Sequence, residues 1–333
     1  MSVVHFKYCI IAASIIVLCI FYIGAVKLVL TQSPVATALD TGLQTTENRG
    51  QLLFTESTSV SPNVVLPASF DSRNEKFDCK TAELMNMTFP MCHYSAATDD
   101  TVSGLLLRGI YFEAYEVSRF LRLLGLDRRL QLVDIGANVG LYSLPAARMA
   151  PVIAVEPNWR SMSRLAKAVD LGAVSSNITL IQNAVSNVRA TFNIGVHLNN
   201  QGNAFLINTT KCKATPHNTP CNTLSPTRTI LLNDLLPLMR SKAALMKVDV
   251  EGHEVNIFTD STAGHFFKQI DIPLIFMEWQ LCKRHPKDIV QRLLNFFYSR
   301  NYTVFNMYNS KLKNHYLKWP WNVVFKKVTN IHF

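Results

Sequence analysis

Leu132 to Gly140, read as LVDIGANVG, constrains the fold of this chain more than any other stretch. A short apolar run, Leu132, Val133 and Ile135, carries one acid, Asp134, and ends in two glycines four residues apart, Gly136 and Gly140. Such a run closing on glycine reads as a buried strand, a tight turn and a helix start. Glycine suits the turn because the backbone must take conformations a Cβ forbids, and because a ligand must come close to bare amides at the helix N-terminus. An ordinary strand-to-helix turn that happens to hold two glycines is the plainer alternative. A second apolar strand, Val152 to Val155, runs into Glu156-Pro157, with Glu156 twenty residues beyond Gly136. In nucleotide-binding α/β folds an acid at that spacing accepts the hydroxyls of a ribose.

The full dinucleotide fingerprint is G-x-G-x-x-G, and here Asn138 stands where its second glycine belongs. A pyrophosphate cofactor, and with it a dehydrogenase, is therefore disfavoured. Asp134 before the turn suits a cationic or amine-bearing ligand. S-adenosylmethionine (SAM) has a ribose, an amine and a sulfonium, and lacks phosphate.

The chain has 333 residues, enough for one large domain or two average ones with a sizeable core. Its 48% hydrophobic and 17% charged residues describe a globular protein with one membrane-like segment added. That segment is Tyr8 to Val26, 19 residues without a charge between Lys7 and Lys27. About 20 residues at ~1.5 Å each cross a bilayer core as a helix, so 8–26 is expected to be an uncleaved signal anchor behind a short tail, 1–7. Ile23-Gly24-Ala25 as a cleavage site is the competing reading. Residues 27–78, rich in Ser, Thr, Gln and Val, read as a flexible stem.

Four glycosylation sequons, at Asn86, Asn177, Asn208 and Asn301, suggest a secretory lumen. Cysteine usage agrees. Cys9 and Cys19 lie in the apolar run, Cys79 and Cys92 form one close pair, Cys212 and Cys221 another, and Cys282 reads as a buried free thiol at a strand end. None of the spacings is C-x-x-C, so the pairs read as local disulfide staples of an oxidising compartment, not zinc ligands. The net charge of +10, with lysines crowding the C-terminus at 311, 313, 318, 326 and 327, favours anionic or acidic partners but names none.

From Cys79 the chain turns globular, with an entry region at 79–130 and a main domain at 131–333. Strands are expected at 131–135, 152–156, 178–182, 244–250, 274–278, 303–307 and 322–326. Helices are expected at 113–124, 139–149, 158–171, after Gly252 and at 286–299. A polar excursion from Ser186 to about Pro226 holds a β-hairpin, 190–198 with 204–207, and the Cys212–Cys221 loop. Strands alternating with helices predict an α/β fold: a seven-stranded, mostly parallel sheet covered by helices on both faces. Ligands in such sheets lie at the carboxyl ends of the strands, where Asp134, Glu156, Asn183, Asp249 and Glu278 fall.

LVDIGANVGLYSL, VIAVEPN, ITLIQNAVS and LMKVDVEGHE, in that order, resemble the signature blocks of the FkbM-type SAM-dependent methyltransferases. The resemblance runs from about Asp100 to Lys327, includes Gly109 to Glu113, and is most specific in KVDVEGHE. With the anchor, stem and Cys79/Cys92 pair, the chain looks like an animal, secretory-pathway member, with the Rossmann-like fold of class I methyltransferases. Such membership implies O-methylation of a hydroxyl on a sugar or small natural product.

Residues and resemblance together give a site. Asp134 and the amides around Gly136, Ala137 and Asn138 would hold the methionine portion of SAM, Glu156 the ribose, and Asn183 with Ala184 the adenine side; Gly140 completes the cofactor-binding set. A hydroxyl acceptor needs a base within hydrogen-bond reach. Asp249 and Glu251, on one face of an extended segment, are the candidates, and His253 is a third. The alternative reading of Glu251 is a cap on the helix after Gly252, and that of His253 a surface residue. Glu254 reads as a packing residue, and Glu278 either points into the cleft or pairs with a lysine. An ion at Asp249 and Glu251 is conceivable, but no metal is predicted.

The leading expectation is a lumenal, Golgi, membrane-anchored O-methyltransferase acting on a glycan or small hydroxyl acceptor. Alternatives are a catalytically inactive binding module and a cytosol-facing enzyme that methylates a lipid or small molecule. Nucleic acid is not an expected partner, since its methylation needs a basic groove with stacking aromatics.

Overall fold

A computed structural model of the chain describes residues 61–65, 77–208, 212–213, 216, 220–313 and 315–328. The apolar run 8–26 and most of the expected stem lie outside the described residues, and among the described ones no helix is long and apolar enough to cross a membrane.

In chain order the strands are β1 (Val64–Val65), β2 (Cys79–Leu84), β3 (Met87–Cys92), β4 (Leu130–Ile135), β5 (Val152–Val155), β6 (Ile178–Ile181), β7 (Ala184–Val185), β8 (Thr191–His197), β9 (Ala204–Ile207), β10 (Cys221–Ile230), β11 (Ala243–Val248), β12 (Asp271–Glu278), β13 (Tyr302–Phe305) and β14 (Asn322–Lys327). The helices are α1 (Val102–Leu107), α2 (Ala114–Gly125), α3 (Ser143–Ala146), α4 (Trp159–Leu171), α5 (Glu254–Ile257), α6 (Gly264–Gln269) and α7 (Lys287–Tyr298).

The main sheet has the order β1-β6-β5-β4-β11-β12-β14-β13. Strands β6, β5, β4, β11 and β12 run parallel, whereas β14 pairs antiparallel with both β12 and β13. These are the seven expected strands. The eighth, β1, pairs antiparallel with β6 inside the stretch expected to be flexible stem, so that expectation is corrected at residues 64–65. The buried strands alternate faces: Leu132, Ala154, Leu180 and Leu245 join one apolar core, and Val133, Ile153, Ile181 and Met246 join the other. Two cores, one on each face, are why these strands are apolar almost throughout.

Helix α4 begins where expected because Asn158 caps it, its side chain accepting from the Arg160 amide at 3.1 Å. Such a cap contributes about 1 kcal/mol. The helix expected at 139–149 is reduced to α3. Gly140 sits at φ +97°, a left-handed conformation that an α-helix interior does not contain, so regular helix starts only at Ser143.

A second sheet, β7-β10-β8-β9, holds the expected hairpin (β8 with β9) plus the ten-residue strand β10 where a loop was expected. Disulfides join Cys79 to Cys92, directly opposite across β2 and β3, and Cys212 to Cys221 at the start of β10. Cys282 is a buried free thiol, as expected.

Candidate active site

The carboxyl ends of β4, β5, β11 and β12 open on one cavity of about 410 Å³, within the size range of small-ligand sites. Its two halves are built differently.

On the β4–β5 side the turn after Ile135 forms one wall. Gly136 has φ +85°, and a Cβ there would lie 1.7 Å from the Asp249 carbonyl oxygen, so only glycine lets the tips of β4 and β11 meet. Asn138, at φ +49°, turns its amide to Glu156 Oε2 at 2.8 Å, while Glu156 Oε1 accepts the Asn158 amide at 2.8 Å. Burial raises the Glu156 carboxyl to about 7, against those two amides and Lys247, which favour the ionised form. Each Glu156 oxygen retains lone pairs for further donors. Asn183 lines the cavity but is also a structural tie: its Oδ1 accepts the Asn63 amide at 2.7 Å, and its Nδ2 donates to the Arg228 carbonyl at 3.1 Å. Ala137 and Ala184 line the wall beside it.

Asp134 and Gly140 are not among the cavity-lining residues. The register of β4 on β11 sets Asp134 beside Lys247, 3.7 Å from its ammonium, and Ser143 Oγ donates to Asp134 Oδ2 at 2.6 Å. Burial raises the Asp134 carboxyl, with Lys247 and Ser143 opposing. It is Lys247 that faces the cavity, donating to the Gly136 carbonyl at 2.5 Å and pairing with Asp249 at 3.4 Å. Burial works against the Lys247 ammonium, yet Asp249, Asp134, Glu113 and Glu156 outweigh it and hold the group above its ordinary range. Asp134 therefore acts through Lys247 on the shape of the turn.

The tip of the β8–β9 hairpin closes the cavity. Asn200 bridges to Asp99, and a Cβ on Gly202 would lie 2.8 Å from Asn138 Oδ1. Two amide oxygens, Asn200 Oδ1 and Asn203 Oδ1, are buried there without a hydrogen-bond partner. Buried acceptors left bare are costly, so these two await a donor from whatever fills the cavity.

Carboxyls crowd the β11–β12 side. Asp249 follows β11 directly, Glu251 sits in a left-handed turn at φ +56°, and Glu278 ends β12. The segment 249–251 is thus a turn, not the extended piece expected, but one oxygen from each of these three side chains lies within 4.8 Å of the others. Glu254 Oε1 accepts the Val250 amide at 2.9 Å, so Glu254 secures this turn. Burial pushes Glu254 and Glu278 well above the usual carboxylate range, and Asp249 and Glu251 push the same way.

His253 also reaches the cavity, with Nε2 2.9 Å from Ser186 Oγ and Nδ1 3.1 Å from Asn256 Nδ2. Burial, helped by His285, lowers its imidazole to about 4, so the ring is neutral and committed to structural bonds. Above the carboxyls Glu113 accepts from Tyr142 (3.0 Å) and Asn322 (3.2 Å), and Trp321, 55% exposed, stands at the rim. Lys247, Asn200, Asn203, Glu113, Tyr142 and Trp321 also line the cavity, and sequence reasoning did not place them in the site. For Lys247 a signal existed, a lone cation in an otherwise apolar strand, AALMKV.

The β4–β5 side fits SAM on its own atoms. Glu156 offers lone pairs to ribose hydroxyls, and the bare oxygens of Asn200 and Asn203 match the N–H groups of the ammonium or the adenine.

The methyltransferase FkbM domain family matches residues 134–304. Similar solved structures include the precorrin-6Y C5,15-methyltransferase of Geobacter metallireducens GS-15, 13% identical over 65% of this chain and 88% of that one, with a TM-score of 0.35. A methyltransferase FkbM from Methylobacillus flagellatus KT is 14% identical over 59% of this chain and 43% of that one, TM-score 0.35. The O-methyltransferase TomG of Streptomyces achromogenes, in complex with SAM, is 9% identical over 72% and 92%, TM-score 0.36. None of the curated proteins compared with the chain matches it.

Proposed function

Because this chain belongs to the methyltransferase FkbM domain family, and is a SAM-dependent methyltransferase, we propose that it methylates a hydroxyl group of a glycan in the lumen of the secretory pathway, in the Golgi. The observation that carries the chemistry is the placement of a half-buried carboxylate, Asp249, across one cavity from Glu156.

SAM supplies a methyl group already activated by its sulfonium. The protein's task is then to align the acceptor oxygen and to remove its proton. Glu156 and the Gly136–Asn138 turn hold the cofactor on one side. Asp249 accepts the hydroxyl proton on the other, held in place by Lys247. Lys247 also ties the two sides together through the Gly136 carbonyl.

Several features support the glycan and the compartment. Two disulfides fit an oxidising lumen. Asn86, in the β2–β3 turn, and Asn301, before β13, are exposed sequon asparagines. Asn177 is less suited, since its Nδ2 donates to the Ala147 carbonyl at 3.0 Å. The uncharged run 8–26 supplies an anchor. An exposed tryptophan beside carboxylates, as at Trp321 with Glu278 and Glu113, offers a sugar both an apolar face and hydrogen-bond acceptors.

The test is the protein purified from a secretory host, incubated with methyl-labelled SAM and a panel of glycans. Label should enter a glycan, and peptide N-glycosidase should shift the protein's mass. Label entering only lipid or small molecules, on a protein without glycans, overturns the acceptor and the compartment together.

A further inference from the structure

The carboxyl cluster on the β11–β12 side carries more than a proton acceptor. One oxygen each of Asp249, Glu251 and Glu278 lies within 4.8 Å of the others. A hard divalent cation holds oxygens at ~2.0–2.4 Å, so two ligands on opposite sides of it stand ~4.0–4.8 Å apart. Oxygen-only donors of this kind suit Mg²⁺, Mn²⁺ or Ca²⁺ and do not suit softer metals.

A second observation is independent of the clustering. Glu278 lines the cavity and is only 7% exposed; its carboxyl is hydrogen-bonded by the Trp321 side chain, yet its Oε2 is buried without a hydrogen-bond partner. An exposed carboxylate oxygen is solvated by water, whereas a buried one with no donor bears its desolvation penalty uncompensated, which marks a place for a cation or a donor. Lys247, the cation at this end of the sheet, is committed to the Gly136 carbonyl, Asp134 and Asp249.

We propose that Asp249, Glu251 and Glu278 bind a divalent cation of the Mg²⁺/Mn²⁺ class, which seats the acceptor through two neighbouring hydroxyls. Glu278 is fixed by its strand, since it pairs with Asn322 in the β12–β14 register. Asp249 and Glu251 are set by the turn that Glu254 secures. Asp249 contributes one oxygen to the ion and keeps the other for the acceptor proton. Vicinal hydroxyls, common on sugar rings and rare on simple alcohols, would enter the ion's remaining positions together. Cation binding stands on the carboxylates alone, and only the seating of the acceptor rests on the function proposed above.

The experiment is a titration of Mn²⁺ alone into the purified protein without SAM, read by the electron paramagnetic resonance signal of free Mn²⁺. One equivalent should bind. Glu278→Gln and Glu251→Gln should each weaken that binding at least about tenfold, and Asp288→Asn on exposed α7 should leave it unchanged. Should Glu278→Gln fail to fold, as judged by its thermal melt, Glu251→Gln carries the test. No stoichiometric Mn²⁺, or equal affinity in both glutamine variants, overturns the site. If Mn²⁺ binds but methyl transfer is untouched by EDTA, the seating role falls. SAM calorimetry in EDTA separates either result from a failure of the cofactor half, because SAM binding should persist there.

Discussion

The two halves of the cavity satisfy their polar groups in opposite ways. On the β4–β5 side the acid that lines the cavity is met by backbone: Glu156 takes two main-chain amides, and Gly136 gives its carbonyl to Lys247. On the β11–β12 side Asp249, Glu251, Glu254 and Glu278 gather with Lys247 as their neighbouring cation. The first arrangement is rigid and preorganised, suited to a constant ligand. The second stores unfavourable charge that a reacting hydroxyl or a cation relieves, which is where chemistry is expected.

That contrast can be broken by experiment. The largest effect should come from Asp249→Asn, which keeps the side chain's shape and removes its proton affinity. Methyl transfer should fall by ~10²–10⁴ in kcat, the usual worth of a general base. A loss below tenfold would assign the proton elsewhere on that side.

Next is Glu156→Ala. It removes the ribose acceptor and strands the amides of Asn138 and Asn158, and hydrogen bonds to a charged group contribute ~1.5–3 kcal/mol each. SAM affinity should drop ~100-fold by calorimetry. An affinity within threefold of wild type would show that the ribose lies elsewhere.

The pH dependence sharpens the same half. Glu156 titrates near 7 when the cavity is free of ligand, because burial disfavours its charge. Ribose hydroxyls donate to the ionised form, so SAM binding below pH 7 must expel a proton. Affinity should weaken as pH falls from 7 toward 5, by up to ~tenfold per unit. The stability linkage runs the other way. The folded carboxyl sits above its unfolded value of 4.5, so its contribution is fully present below 4.5 and is lost as pH rises through about 7. In Glu156→Gln both slopes should vanish; a slope of SAM affinity that survives belongs to another group.

The smallest effect should be at the hairpin tip. Asn200→Ala and Asn203→Ala each remove one neutral acceptor, ~0.5–1.5 kcal/mol, so SAM affinity should fall only ~2–10-fold while the acceptor KM is unchanged. A rise in acceptor KM instead would move the hairpin to the other half.

The same division governs what the sequence revealed. The β4–β5 half is local: strand, glycine turn, second strand and acid follow one another within 25 residues, from Leu132 to Glu156, so Gly136, Asn138 and Glu156 could be read directly. Asp134 was read as a ligand-facing acid, and only the β4–β11 register shows that Lys247 stands between it and the cavity side. The other half is assembled over long separations. Glu113, Glu278 and Trp321 come from three distant segments, and a periodicity argument says nothing of their meeting.

The main sheet was legible because both of its faces are buried, which makes its strands continuous apolar runs. Strand β10, CNTLSPTRTI, was not. It is polar, mostly open on one side, and its register on β8 shifts between Leu224 and Thr227, around Pro226. Proline belongs in a strand only at such an irregularity, and in the sequence it signals a loop. Glu251 was placed on an extended segment because alternation continues through Val248, Asp249 and Val250; the left-handed turn that follows has no apolar signature.

The division of labour across the cavity is tested most directly by titrating SAM into Asp249→Asn in the calorimeter. The predicted result is a dissociation constant within about threefold of wild type in a protein that no longer transfers methyl. A constant weakened as far as that of Glu156→Ala would contradict the division, since the acid assigned to the acceptor would then be holding the cofactor.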